Sequence, residues 1–193
     1  MKIPLKYQSS EYDCVPTSFL NALNFLFDRK EIPPEVIKAI MLYSLDTFNR
    51  FGEVGKGGTT GFAIGFICEW LNYYNETKGF NIECERVDGT EADFEKNKHL
   101  VSWLKDGGVV LARVFQPRMY HYILITHIDE DSVYAFDPYF RKRKFDNPEI
   151  EIIQGDSLTN RRIMKKWFNS YKEQDYSLSI KDERVCVLMR RIE

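Results

Sequence analysis

Little in this sequence marks a metal-binding, disulfide-stapled or membrane protein. Its cysteines, Cys14, Cys68, Cys84 and Cys186, are scattered without a Cys-x-x-Cys pair, which excludes the common zinc spacings and gives no disulfide framework. Only three histidines are present, none at metal-ligand spacing, so neither a metal nor another cofactor is expected. No apolar run approaches the roughly 20 residues that span a bilayer. The start, Met1-Lys2-Ile3-Pro4-Leu5-Lys6, lacks the apolar segment of a signal peptide. These absences lead us to expect a soluble chain in a reducing, cytoplasmic setting. Seven residues precede Gln8, so no pro-segment is expected within this sequence.

Excess charge is also missing. A formal net charge of -2 and an isoelectric point near 6.0 give no field that would gather nucleic acid or an anionic membrane, so neither is expected as a partner. The basic run Arg141-Lys142-Arg143-Lys144 reads as a solvated strand or loop. The stretch Gly52 to Gly61 holds five glycines in ten residues but lacks the Gly-x-x-x-x-Gly-Lys-Ser/Thr order of a phosphate-binding loop. We read it as a flexible connection bordering a substrate cleft, with Thr59 or Thr60 capping the helix that follows.

What the chain does have is apolar mass, with 44% of its 193 residues hydrophobic and 15% aromatic, enough for one substantial core in a single globular unit spanning 1–193. From Pro16, the residues Phe19, Leu20, Leu23, Leu26 and Phe27 recur at three and four, one face of a central helix ending near Asp28. A second helix is expected over Glu31 to Leu45, with Pro33 and Pro34 in its first turn. A third covers Phe62 to Asn75, its aromatic stripe read as core, and Gly79 marks its end. Phe80 to Val87 alternates as a strand, and Glu91 to Asp106 reads as a helix stopped by Gly107-Gly108. Val109 to Val114, Tyr120 to Ile128 and Val133 to Phe136 then form β-branched and aromatic runs. The expectation is an α+β protein, helical over about 10–106 and an antiparallel sheet over about 107–193. Further strands over Arg143 to Phe145 and Arg184 to Ile192, and a helix over about Ser157 to Tyr171, complete it.

Chemistry concentrates at three places. Cys14 stands two residues before the proline that opens the first helix, where unpaired backbone N–H groups and the positive end of the helix dipole favour a thiolate. Gln8, six residues upstream, carries an amide that can donate to a developing oxyanion. His121 begins a strand, and the paired strand finishes at Asp137-Pro138. With a three-residue connection, Asp129 to Asp131, Ile128 pairs with Ser132; Ile123 then faces Asp137, and His121 is its diagonal neighbour on the same face. A two- or four-residue connection would separate them. His99 is expected to face solvent and His127 to be an ordinary strand histidine. Nucleophile, base, orienting acceptor and oxyanion donor are thus all available in Cys14, His121, Asp137 and Gln8.

Gln8, Cys14 and Pro16, then Tyr120-His121-Tyr122-Ile123-Leu124-Ile125 and Tyr134-Ala135-Phe136-Asp137-Pro138, form a pattern that resembles the papain-like cysteine peptidases. It looks most like the double-glycine leader peptidases that process bacteriocin precursors, and Leu104-Lys105-Asp106-Gly107-Gly108-Val109-Val110 resembles their approach to the histidine strand. The resemblance covers roughly 5 to 140. It implies a papain-like fold and a peptide or amide substrate, with Cys14 as nucleophile, His121 as base, Asp137 orienting it and Gln8 in the oxyanion hole. Val15 departs from the family, in which a glycine usually follows the cysteine. Acyl transfer by the same residues, or an idle site in a peptide-binding module, are the competing uses. Oligomeric state is not legible.

Overall fold

The computed structural model describes residues 3–44, 48–117 and 119–193. Helix α1 spans Cys14–Leu26, α2 Pro34–Tyr43 and α3 Gly61–Lys78. Pro34 occupies the first position of α2 with Pro33 at its N-cap, where a missing N–H costs nothing. Leu45, the expected end of that helix, lies outside the described residues. The Thr60 side chain accepts the Ala63 N–H to cap α3, and Gly79 closes it at φ 69, a left-handed conformation that glycine adopts without a Cβ clash.

Strand β1, Ile82–Asp88, leads through a 3₁₀ turn to α4, Lys98–Lys105. That helix starts later than the sequence suggests. Asp93 Oδ1 instead accepts from the Glu95 and Lys96 N–H groups, and the Asn97 side chain caps the helix by accepting from His99 and Leu100, so local side-chain bonds win over helix in the preceding residues. Strands β2 (Val109–Gln116), β3 (Met119–Ile128), β4 (Ser132–Phe136), β5 (Ile150–Ile152) and β6 (Arg161–Met164) follow, then the single turn α5, Lys165–Phe168, and strand β7, Val185–Arg191.

These strands form one antiparallel sheet in the order β1-β7-β2-β3-β4-β6-β5. The C-terminal strand therefore lies inside the sheet, between β1 and β2. Strand alternation sends Val109 and Leu111 to the core under α1 and α3, and Val110 and Ala112 to a second core containing Leu100 and Trp103 of α4. Both faces are covered, which is why the central strands are apolar throughout.

Three expectations are corrected. Arg143 to Phe145 is no strand; Phe145 is instead an aromatic platform, with Arg141 stacked over it at 4.1 Å and its edge against Tyr176. The helix expected over Ser157 to Tyr171 is strand β6 and the one turn of α5, because Arg161 to Met164 pair with Ser132 to Ala135. Third, most of the aromatic side of α3 faces outward: Phe62, Phe66 and Tyr73 are exposed and only Trp70 of that stripe packs against the core, while Ile64, Ile67, Cys68 and Leu71 are buried. An all-round apolar helix hides its core face from a periodicity argument, and here the aliphatic side met the sheet.

Candidate active site

The β3–β4 hairpin positions the histidine and the aspartate. Its turn has four residues, Asp129 to Ser132, with Ile128 opposite Val133 and His127 opposite Tyr134. On its own that register would put His121 and Asp137 on opposite faces. A β-bulge at Thr126 restores them: the ladder resumes with Ile125 opposite Ala135 and Leu124 opposite Phe136, so His121, Ile123 and Asp137 share a face. His121 Nε2 meets Asp137 Oδ1 at 2.7 Å, and both side chains are almost fully buried.

Asp137 is held from every side. The Tyr176 hydroxyl donates to Oδ2, and Arg161 Nη2 reaches the same oxygen at 3.4 Å. The Tyr139 N–H donates to Oδ1 at 2.8 Å. Asn160 clamps the Asp137 backbone twice, accepting its N–H at 2.7 Å and donating to its carbonyl at 2.8 Å. Arg161 also donates to the Tyr176 hydroxyl and to the Asn160 and Tyr139 carbonyls. Burial pushes the Asp137 carboxyl pKa up, but His121, Arg161 and Tyr176 outweigh it and hold the group below its ordinary value. Burial and the Asp137 charge raise the Tyr176 pKa well above its ordinary value, so it remains a donor.

Cys14 is the first residue of α1, half-buried. Asp13, at the N-cap, does not cap the helix; its carboxylate accepts from the Ser9 and Ser10 N–H groups and from the Ser10 hydroxyl. The first N–H groups of α1 are thus left without a side-chain partner, as an anion site requires. Cys14 stands near enough to His121 to help raise the imidazole's pKa, and both side chains line the same cavity. With Nε2 on Asp137, Nδ1 is the ring nitrogen left for the sulfur. Burial lowers the His121 pKa, but Asp137, and then Cys14, raise it to about 10.

Cys14 and His121 share the wall of a cavity of about 590 Å³ with Gly58, Phe62, Arg113 and Tyr122. The glycine-rich segment does border the cleft, from Lys56 onward; on the opposite rim Met119 lines it, while Arg118 lies outside the described residues. Gln8 is placed differently from the other three. Its N–H donates to the Pro138 carbonyl at 2.9 Å, tying it to the residue after Asp137. Its side-chain N–H donates to the Ser10 carbonyl at 2.6 Å, and its buried Oε1 has no partner. It does not line the cavity. His99 bonds Glu85 at 2.9 Å and His127 lies against Tyr134, both away from the site. Among the described residues no cluster of acidic, histidine or cysteine side chains could hold a metal, and no helix is long and apolar enough to cross a membrane.

Val15 has an ordinary helical backbone and is buried in the core at 1% exposure; no positive φ is needed after Cys14. Arg161, Tyr176 and Asn160 were invisible to sequence reasoning, because nothing distinguishes a buried arginine from a solvated one in Thr159-Asn160-Arg161-Arg162.

Helices α1 and α3 packed on one face of a single antiparallel sheet, with a cavity lined by the cysteine that starts α1 and by a histidine of β3, make this a papain-like α+β fold. The chain belongs to the Peptidase_C39 like family, whose model matches residues 1–175. Among solved structures, it is similar to the peptidase domain of Streptococcus ComA, a bi-functional ABC transporter involved in a quorum-sensing pathway, at 14% identity and a TM-score of 0.51 over 97% of this chain and 98% of that one. It is also similar to a C39-like peptidase from Bacillus anthracis, at 16% identity and a TM-score of 0.52 over 99% of this chain and 96% of that one. At these identities the likeness speaks for the fold. No curated protein sequence matches.

Proposed function

We propose that this chain hydrolyses peptide bonds with Cys14 as nucleophile, His121 as base and acid, and Asp137 as the group that orients His121. The observation that carries this is that Cys14 and His121 line one cavity while His121 Nε2 meets the buried Asp137 carboxylate at 2.7 Å. His121 takes the thiol proton, and the resulting imidazolium is stabilised by the Asp137 carboxylate. The thiolate attacks the substrate carbonyl, and the Cys14 backbone N–H at the open helix start meets the oxyanion. His121 then returns its proton to the leaving amine, and water releases the acyl-enzyme. Gln8 does not line the cavity, and its side-chain N–H donates to the Ser10 carbonyl, so as the second oxyanion donor its amide would turn from Ser10 toward Cys14 when substrate binds. Val15 lines the same cavity beside Cys14 but is only 1% exposed, and its helical backbone does not require a glycine.

The test is alkylation of Cys14 by iodoacetamide as a function of pH, alongside cleavage of peptide substrates. The native protein should react well below pH 8.5, the value at which a free thiol is about half ionised, and His121→Ala should lose that reactivity. A Cys14 that reacts only above pH 8 in both proteins would refute the reading.

A further inference from the structure

Cys68 and Cys84 take no part in the cleft. Cys68 lies on the buried face of α3 and Cys84 on the face of β1 that meets it. Their sulfurs are 2.7 Å apart, within about 0.7 Å of a disulfide bond length of about 2.05 Å. The backbone around them is fixed by a second contact. Asn72, one turn beyond Cys68, accepts the Cys84 N–H at 2.8 Å and donates to the Cys84 carbonyl at 2.7 Å, so α3 is registered on β1 at the cysteine itself. No third ligand stands near: among the described residues no group of three acidic, histidine or cysteine side chains could share a metal.

We infer that Cys68 and Cys84 form a reversible disulfide that pins α3 to the edge strand of the sheet. The co-reactant is a low-molecular-weight disulfide. One cysteine thiolate attacks it and expels a small thiolate; the other attacks the mixed disulfide and expels the second. Two protein S–H bonds and one small-molecule S–S bond are exchanged for one protein S–S bond and two small-molecule S–H bonds, with two electrons leaving the protein. Both sulfurs are buried, so exchange in either direction proceeds by local opening or during folding. The bridge bears on the cleft because α3 begins at Gly61, which lines the same cavity as Cys14. The inference stands whether or not Cys14 is a nucleophile.

The experiment uses the full chain with Cys14→Ser, removing the cysteine that is only half-buried. It is incubated natively, and refolded from denaturant, with glutathione disulfide; free thiols are then alkylated and the peptides mapped. We expect a linked pair containing Cys68 and Cys84, Cys186 fully alkylated, and a thermal midpoint raised by roughly 5 to 12 °C that dithiothreitol reverses. Adding Cys68→Ser, or separately Cys84→Ala, should abolish the rise. Both cysteines remaining alkylatable after refolding, a link through Cys186, or a lowered midpoint would each overturn the inference. The map of the unsubstituted pair decides the matter even if a variant fails to fold.

Discussion

His121 and Asp137 are joined Nε2 to Oδ1 at 2.7 Å across a hairpin whose bulge at Thr126 alone brings them to one face. With its pKa raised to about 10, His121 is protonated in the folded protein at neutral pH. A histidine whose folded value exceeds its unfolded value of about 6.5 stabilises the fold fully below pH 6.5, and that contribution fades as pH rises through about 10. Ring NMR of His121 should therefore show titration well above 6.5. In Asp137→Asn the charge partner is lost while burial remains, so the value should fall. A native value at or below 6.5 would sink the ion pair.

The Tyr176 hydroxyl and Arg161 share Asp137 Oδ2, and their removal should be costly for different reasons. Tyr176→Phe deletes two buried hydrogen bonds, to Asp137 Oδ2 and from Arg161 Nε, each worth about 1 to 3 kcal/mol, and should lower kcat more than it raises KM, because Asp137 loses its fixed orientation. Tyr176 sits at φ 61, held there by bonds to the Phe115 backbone, which the substitution keeps. Arg161→Met removes one of the two buried cations beside Asp137, leaving His121, and should cost about 3 to 5 kcal/mol. Denaturant unfolding measures both; a negligible loss in Arg161→Met would mean that Arg161 contributes only packing.

How far these features could be read beforehand follows from the physics of each. Helix α1 was legible because its apolar residues recur at helical spacing and its buried face is Phe19, Leu23 and Leu26. The His121–Asp137 relationship was reached through a three-residue turn; the real turn has four residues and the bulge supplies the missing step. Bulges leave no periodic trace, so the right parity came by a wrong route. Arg161 and Tyr176 were beyond reach because their roles depend on long-range pairing of β6 with β4, and Gln8 was placed at the site by spacing alone.

Gly108 explains why a second glycine follows α4. A Cβ built there would stand 2.4 Å from the Trp103 ring and 2.8 Å from the Trp103 carbonyl, and Trp103 is fully buried. Neither neighbour can retreat. Gly108→Ala should destabilise the protein by about 1 to 3 kcal/mol as an overpacked core, read from thermal or denaturant unfolding. At Gly155, which has nothing within 4 Å, any cost comes from its φ of 84 alone. A neutral Gly108→Ala would show that the turn relaxes freely.

Val15 is where the idle-site reading can be tried. Its side chain is 1% exposed and packs in the core under α1, so Val15→Gly, which restores the residue usual in the family, removes buried methyl groups and adds backbone freedom near the helix start. We expect a stability loss of about 2 to 4 kcal/mol. Activity on peptides should stay equal or fall, because the oxyanion donor is the Cys14 N–H and its direction depends on the first turn of α1 staying helical. Steady-state kinetics at a temperature where both proteins remain folded separates the two effects. A tenfold or greater rise in kcat/KM would show that Val15 obstructs the approach to Cys14, and would return the native chain to the class of peptide-binding modules with a muted site.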